Sequence, residues 1–275
     1  MRYSIEMGVS QERVPIPVLA YHRVLRKLAF RNGELSSPYV MPRLQFEQQM
    51  KYLAENGFQA VSLDEVFLNP NSTAKRIIIS FDDGYKDNYT VAFPILKKFG
   101  LKATFFVIAN RIGTGQFMSW DNLQMLLEAK MEVQSHTLNH QPLSTLSELT
   151  LMDELVNSKI LLEQRLDKQV HFVSFPHGMY NRAVLKTCKQ VGYWGSCNSD
   201  FGYFDPNGDL YRINRFMVKK AYGLDTFVHM VTANWQFKVK FGISNRIRQG
   251  FTRLIGFERY QKFYQRIYGV DETVT

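Results

Sequence analysis

Three short segments of the chain contain residues that could hold a metal ion and move a proton. The first, residues 80–84 (SFDDG), ends an apolar run and contains Asp82 and Asp83. Two adjacent carboxylates repel each other unless their roles differ. A cation separates the roles, because one carboxylate can bind it while the other acts as a base. The sequence Asp-Asp-Gly is also common in polar turns after strands, so this segment could be either a metal-binding site or a turn.

The second segment, residues 136–140 (HTLNH), follows a short strand-like stretch and contains two histidines, His136 and His140. Their side chains share a face if the segment is helical, or converge if it is a tight loop. Each imidazole can offer one nitrogen to a divalent ion. Two His and one Asp leave coordination positions open for water and substrate, which is typical of catalytic zinc sites. A pair of surface or capping histidines would show the same spacing.

The third segment, residues 174–181 (SFPHGMYN), also follows a strand-like stretch, and its Pro and Gly indicate a fixed loop. A loop with rigid ends is a good place for substrate contacts. We therefore expect substrate-binding residues in it: Phe175, Pro176, Gly178 and Tyr180. The alternative is a simple strand-to-helix turn.

Strand-like and helix-like stretches alternate along the chain. The predicted strands are residues 16–21, 77–81, 103–108, 133–135 and 172–175. The predicted helices are residues 44–56, 89–99, 120–129, 147–166 and 182–191. This alternation predicts an α/β fold with a parallel sheet or barrel. Each of the three segments follows a strand, and sites collect at that end of parallel strands.

Composition is that of a globular protein, with 275 residues, 45% hydrophobic and 21% charged, which excludes a wholly disordered or fibrous chain. Two cysteines exclude a disulfide framework and, at their spacing, a zinc finger. The net charge of +9 is concentrated in residues 236–268, which hold eight Lys/Arg and one acid. Apolar residues recur there at helical spacing. We therefore predict a catalytic domain over residues 1–235 and a basic amphipathic helical extension over 236–275.

Neither a secretory signal nor a run of roughly 18 to 20 apolar residues is found in the sequence. We therefore expect a cytoplasmic protein, unless the true start lies upstream. The basic extension either contacts anionic lipid at the inner membrane face or packs on the barrel as a final helix. No nucleic-acid partner is expected, because the chain carries no helix-turn-helix or zinc-finger signature.

The order SFDDG, HTxxH and FPHG, each closing a strand, resembles the polysaccharide deacetylase family. These are the metal-dependent esterases with the chitooligosaccharide deacetylase homology domain, carbohydrate esterase family four. The resemblance covers roughly residues 14–233. Four further stretches agree with it: residues 17–24 (PVLAYHRV), 46–63, 103–107 (ATFFV) and 118–122 (MSWDN). They look most like the branch that removes acetyl groups from exopolysaccharides of N-acetylglucosamine.

The resemblance implies a distorted (β/α) barrel and a metal-dependent hydrolase acting on an N-acetylated poly- or oligosaccharide or lipid-linked glycan. Asp82 matches the family's catalytic base. The family's metal ligands match three residues here: Asp83, His136 and His140. This ligand set suits Zn²⁺, with Co²⁺ or Ni²⁺ possible. A backbone N–H near Tyr85 or Pro176 would stabilise the oxyanion, and His22 either lines the cleft or is a buried, hydrogen-bonded histidine.

Three departures from the family pattern shape the remaining expectations. Ser174 stands where many members carry the Arg that positions the base, so we expect Arg215 to orient Asp82 instead. His177 follows the proline of the third segment and could supply the general acid. The terminal Leu-x-His segment has no match, and His229 is interpreted as a core residue. A metal-retaining carbohydrate-binding protein without catalysis is the alternative function.

Overall fold

The computed structural model describes residues 15–26 and 37–232, and its centre is a parallel sheet flanked by helices. The strands are β1 (Val18–Tyr21), β2 (Arg23–Leu25), β3 (Val40–Pro42), β4 (Gln59–Ala60), β5 (Arg76–Phe81), β6 (Thr104–Val107), β7 (Glu132–Ser135), β8 (Phe172–Ser174), β9 (Gly195–Cys197) and β10 (Phe216–Met217). The α-helices are α1 (Arg43–Glu55), α2 (Leu63–Leu68), α3 (Phe93–Lys98), α4 (Trp120–Glu128), α5 (Glu148–Leu166), α6 (Arg182–Val191) and α7 (Leu224–Val231). The predicted α/β class is confirmed.

Eight strands form one sheet in the spatial order β10-β1-β5-β6-β7-β8-β9, with β4 paired to the start of β5. All of these pairs are parallel. At the far edge Ile213 bridges Cys197 of β9, while Phe216 pairs with Leu19 of β1. Residues 213–217 therefore connect the two edges of the sheet, which curls into the distorted barrel that the resemblance implied.

The central strands are buried on both faces, as their continuous apolar runs predict. All six residues of β5 are buried. The ring of Phe81 stacks on that of Phe105 in β6, with centroids 5.0 Å apart, and on Tyr21 of β1 at 5.5 Å. The ends of these strands are consequently held by packed aromatic side chains, which gives the loops that follow them a rigid base.

Side-chain caps start three helices where the sequence predicts helix starts. Ser119, Ser147 and Asn181 each accept a hydrogen bond from the backbone N–H three residues further on. Gly192 ends α6 in the left-handed conformation, with φ 88°. These caps satisfy N–H and carbonyl groups that helix ends otherwise leave unpaired.

The helix predicted for residues 89–99 differs in its first half, which forms a wide π-helical turn over Asn88–Ala92 before α3 begins. Pro94 explains the difference, because it has no N–H to donate to the carbonyl of Thr90. That carbonyl accepts a hydrogen bond from Arg26 Nη2 at 3.2 Å instead.

The interpretation of His229 as a core residue is wrong. His229 lies on the exposed face of α7, whereas Phe227, Met230 and Val231 are buried. The buried residues follow the i, i+3, i+4 spacing of one helix face, and position 229 falls outside it.

Residues 1–14, 27–36 and 233–275 lie outside the described part of the chain. The basic extension predicted for residues 236–275, its contact with lipid or barrel, and the domain division at residue 235 stay predictions. Within the described ranges, the helices are too short or too polar to cross a bilayer.

Candidate active site

The two adjacent aspartates lie directly after β5 and are both buried, each 3% exposed. Asp82 still continues the sheet, since its N–H donates to the carbonyl of Tyr21 at 2.9 Å. Asp83 and Gly84 then take positive φ angles of 72° and 80°. A Cβ on Gly84 would lie 2.9 Å from Val107 Cγ1. This tight turn, which requires glycine, separates the directions of the two carboxylates.

Residues 136–140 form a tight loop, so the helical alternative for this segment is wrong. Thr137 and His140 have positive φ angles of 65° and 64°. The N–H of His140 donates to Thr137 Oγ1 at 3.1 Å. The buried carboxylate of Glu154 on α5 accepts from the N–H groups of Leu138 and Asn139 at 3.1 and 2.9 Å.

Three ligand atoms converge where these two loops meet. Asp83 Oδ1 lies 3.4 Å from Nε2 of His136 and 3.4 Å from Nε2 of His140. Atoms bound at ~2.0–2.1 Å to a tetrahedral ion are about 3.3 Å apart, which matches these separations. Asp83 Oδ1 is also buried without a hydrogen-bond partner in the described residues. The donor set, the spacing and this unpaired oxygen all fit a divalent cation.

The orientation of His136 is set by its other nitrogen. His136 Nδ1 lies 2.9 Å from the backbone carbonyl of Ser174, to which only a protonated nitrogen can donate. In the neutral ring this leaves the lone pair on Nε2, the atom nearest Asp83. Such hydrogen bonds fix the tautomer of histidines that bind metals.

The charges of the site suit a cation as well. Burial alone would raise the pKa of Asp83, but the nearby imidazoles of His136, His22 and His140 hold that pKa well below the usual range. Burial lowers the pKa of His140 to about 3, which keeps this imidazole neutral. Burial also disfavours charge on His136, yet Asp82 and Asp83 raise its pKa. A bound metal ion would take the place of the proton on His136 and would balance the charge of the carboxylates of Asp82 and Asp83.

Asp82 is held by Arg215, the residue that lies between the two ends of the sheet in segment 213–217. Nη1 and Nη2 of Arg215 lie 2.8 Å from Oδ1 and Oδ2 of Asp82. Nη2 also donates to Ser174 Oγ at 2.9 Å, and Nε to the carbonyl of Asn198 at 2.9 Å. Arg215 is 1% exposed. Burial would raise the pKa of Asp82, but the guanidinium lowers it below the usual range.

Two further histidines lie beside these groups. The ring centroid of His177 is 5.0 Å from that of His140. His22 stacks on Tyr39 at 5.0 Å, and its Nδ1 is buried without a hydrogen-bond partner in the described residues. His22 follows Tyr21, whose carbonyl accepts from the N–H of Asp82. Both rings are therefore candidates for proton transfer.

Comparison with known proteins identifies the family. The family model for polysaccharide deacetylases matches residues 69–195. A Bacillus subtilis protein whose name assigns it to the polysaccharide deacetylases, YxkH, is 30% identical over 213 residues, which cover 76% of this chain and 73% of that protein. The chain belongs to the polysaccharide deacetylase family. The family resemblance that the sequence motifs indicated is confirmed.

Other members of the polysaccharide deacetylase family support this assignment. The poly-beta-1,6-N-acetyl-D-glucosamine N-deacetylase of Staphylococcus aureus is 28% identical over 239 residues, covering 78% of this chain and 80% of that enzyme. The solved deacetylase PplD of Streptococcus pyogenes, in complex with acetate, superposes with a TM-score of 0.74 at 26% identity. It covers 80% of this chain and 99% of that one. The shared fold and family support a sugar N-deacetylase.

The third segment, residues 174–181, is buried at its start and half-buried from residue 177 to residue 180. Phe175 is 1% exposed and its ring packs in the main core, so a substrate contact by this residue would have to come from its backbone and stays a prediction. Pro176 is buried too, while Gly178 and Tyr180 are half-buried. A Cβ on Gly178 would lie 2.5 Å from Ser199 Cβ. Only glycine therefore fits this position beside His177.

Tyr85 likewise offers its backbone rather than its ring. The side chain is 1% exposed and stacks on Phe117, with ring centroids 5.1 Å apart. Burial raises the pKa of its hydroxyl, which stays protonated at neutral pH. The backbone N–H of Tyr85 follows Asp83 by two residues and remains the group that could approach an oxyanion.

Sequence reasoning missed the residues that support the site. Glu154 is 2% exposed and braces the 136–140 loop. The sequence does carry a signal for it, because position 154 shares a helix face with the apolar Leu151 and Leu155. Asn198, whose carbonyl accepts from Arg215, carries no such signal, since any residue could supply that carbonyl.

Proposed function

We propose that this polysaccharide deacetylase removes acetyl groups from an N-acetylated sugar by metal-dependent hydrolysis. The observation that supports it most is the unpaired, buried Oδ1 of Asp83, equidistant from Nε2 of His136 and Nε2 of His140. A buried carboxylate oxygen without a hydrogen bond costs free energy unless a ligand satisfies it.

The residues assigned to the metal are Asp83, His136 and His140, with Zn²⁺ the expected ion and Co²⁺ or Ni²⁺ alternatives. A bound divalent cation would supply Lewis acidity for the acetamide carbonyl and a water of lowered pKa. The backbone N–H of Tyr85 is proposed to donate to the same carbonyl oxygen as it becomes negative.

Asp82 is proposed as the general base. Its lowered pKa keeps the carboxylate ionised at neutral pH, which also makes it a weak base. It can take a proton only from a donor far more acidic than bulk water, and this requirement supports metal dependence. Arg215 and Ser174 act as positioning residues, because they hold both carboxylate oxygens and the guanidinium in one arrangement.

The departing amine needs a proton, and the two candidates are His177 and His22. Measuring kcat for His177→Gln and His22→Gln distinguishes them. General acids contribute about 10²–10⁴-fold, so the variant that loses the proton donor should fall by that factor. Near-normal turnover in either variant removes that histidine from the mechanism.

The proposed substrate is a glycan containing N-acetylglucosamine, since the Staphylococcus aureus relatives are named for that polymer. The alternative, a metal-retaining carbohydrate-binding protein without catalysis, rests on two departures from the family pattern, Ser174 in place of Arg and the missing terminal Leu-x-His segment. Arg215 brings a guanidinium to Asp82 from another segment, and this argues against the first of these two reasons.

The test is acetate release from N-acetylglucosamine oligomers by the full chain, with mass spectrometry of the glycans before and after incubation. Chelation should stop acetate release and added Zn²⁺ should restore it. Asp82→Asn should abolish it, whereas Asp121→Asn on the exposed start of α4 should not. Metal-loaded protein that releases no acetate from any N-acetylated sugar would support the binding-protein alternative.

A further inference from the structure

The loop between β6 and α4, residues 109–118, is attached to both loops that carry the proposed metal ligands. Two N–H groups at its start donate to backbone carbonyls between His136 and His140, at 3.1 and 3.0 Å. At its other end, the N–H of Met118 donates to the carbonyl of Gly84 at 2.9 Å. The 109–118 loop therefore forms a wall fixed beside the candidate active site.

Two arginines and two aromatic rings are stacked along this wall. The rings of Tyr85 and Phe117 lie 5.1 Å apart at an interplanar angle of 16°. The guanidinium carbon of Arg23 lies 4.8 Å from the Tyr85 ring centroid. That of Arg111 lies 5.2 Å from the Phe117 ring centroid. Aromatic rings hold guanidinium groups in defined planes, so both arginines are oriented.

The two arginines differ in how their charges are balanced. Arg23 pairs with the carboxylate of Asp87, Nε to Oδ2, at 2.9 Å. Arg111 is half-buried, and no carboxylate in the described ranges lies within ion-pair distance of it. Arg111 also directly follows Ala109 and Asn110, whose N–H groups donate to backbone carbonyls of the metal-ligand loop. Arg111 thus presents an oriented, unbalanced positive charge beside the site.

We propose that Arg111 binds an anionic group, a phosphate or a carboxylate, on the glycan whose acetamide enters the candidate active site. This inference rests on the proposed function and specifies its substrate class. The planar guanidinium matches the geometry of both oxyanions and binds them through two parallel hydrogen bonds. A partly desolvated cation that no carboxylate of the described ranges neutralises is unfavourable, and an anionic substrate would relieve that cost.

The experiment compares acetate release by the Zn²⁺-loaded full chain from three probes. They are one N-acetylglucosamine oligosaccharide without charge, the same oligosaccharide carrying a phosphate, and the same carrying a uronic-acid carboxylate. The wild-type protein should prefer at least one charged probe in kcat/KM. Arg111→Gln should lower the ratio of charged to neutral kcat/KM about tenfold or more, as expected for a lost charge-assisted hydrogen bond. Added salt should weaken the preference.

Arg165→Gln is the matched control, because Arg165 stacks on Trp120 at 4.7 Å on the outside of the barrel. It should leave the ratio unchanged. Arg111→Lys should retain part of the preference, and unfolding curves establish that each variant is folded. Equal ratios in wild type and Arg111→Gln would overturn the proposal while leaving deacetylation intact. No acetate from any probe would instead contradict the proposed function.

Discussion

Buried carboxylates lie at both ends of the sheet, and they are satisfied in opposite ways. Glu132 begins β7 and is 4% exposed. Its oxygens accept from the N–H groups of Leu63 and Asp64, at 3.1 and 3.0 Å, and from Thr104 Oγ1. Asp83, at the carboxyl end of β5, is as deeply buried but keeps an oxygen without a hydrogen-bond partner in the described residues.

This difference in hydrogen bonding indicates that Glu132 is a structural carboxylate and that Asp83 is available to bind a ligand. Glu132 caps the first turn of α2, so every nearby donor is part of the fold. Asp83 faces two imidazole nitrogens instead, and we propose that a cation completes this arrangement. We therefore expect substitutions at the two ends to act on different properties, stability at Glu132 and metal-dependent activity at Asp83.

The largest effect is expected from Asp83→Asn. Acetate release should fall well beyond the ~100-fold that loss of an outer-shell partner causes. The midpoint of thermal unfolding of the metal-free protein should stay the same or rise, since functional sites retain destabilising groups. Acetate release is measured on the Zn²⁺-loaded full chain, and thermal unfolding is measured on the chelated full chain. A large loss of stability in Asp83→Asn would make this carboxylate structural and remove the contrast with Glu132.

Next in size is the effect of Arg215→Met. It leaves Asp82 as a buried charge without its partner, which costs about 3–5 kcal/mol of unfolding free energy. The double variant Arg215→Met/Asp82→Asn should recover most of that stability but none of the activity. Urea denaturation and acetate release measure the two properties. If the double variant is no more stable than Arg215→Met, the pair does not act as a unit.

A smaller effect is expected from Glu154→Gln, which weakens the brace on the 136–140 loop. The dissociation constant for Zn²⁺ should rise about 10- to 100-fold, the range for outer-shell support of a metal site. Asp153→Asn, on the exposed face of α5 next to it, is the matched control and should bind Zn²⁺ as wild type does. Competition with a chromophoric chelator gives both constants.

The smallest effect is expected on the pH dependence of the unfolding free energy, to which Glu132 contributes. Burial, with the charge of Asp64, raises the pKa of Glu132 to about 7. The folded state then holds a proton that the unfolded state releases near pH ~4.3. Stability from this group is present at low pH and declines, by up to about 1.4 kcal/mol per pH unit, as the pH rises through 7.

Glu132→Gln should flatten this dependence between pH 5 and pH 8, as measured by urea denaturation. Glu128→Gln, exposed at the end of α4, should keep the wild-type slope. Parallel curves for wild type and Glu132→Gln would show that the carboxylate titrates normally. Deacetylation by Glu132→Gln, measured where the protein is fully folded, tests whether this end of the sheet is independent of the active site.

The sequence could predict that Asp82, Asp83, His136 and His140 lie close together, because the carboxyl ends of parallel strands meet at one edge of the sheet. The strand before Asp82 is largely an apolar run, and the short strand before His136 pairs with the same neighbour, β6, so the loops that follow the two strands lie at one edge of the sheet. The pairing of Arg215 with Asp82 follows from closure of the sheet across 133 residues, which no local spacing encodes. The left-handed φ of His140 is equally hidden, since Gly is the residue that usually signals it.

Local features that depend on a few neighbouring residues could be predicted from the sequence. Features that depend on contacts between distant segments could not. Ser119 caps α4 as its sequence position indicates. The expectation for His229 is wrong even though its position outside the apolar face of α7 is visible in the sequence. The burial of the Phe175 ring depends instead on core packing, which no local spacing encodes. The wide turn before α3 required both Pro94 and the side chain of Arg26.

The central claim is that Asp83, His136 and His140 form a single divalent-cation site on which deacetylation depends. Native mass spectrometry of the full chain titrated with Zn²⁺ tests it most directly. We expect one ion bound per wild-type chain and none at the same Zn²⁺ concentration in His136→Ala/His140→Ala. Acetate release should rise in proportion to the fraction of chains that carry an ion. Undiminished acetate release from metal-free protein would contradict it.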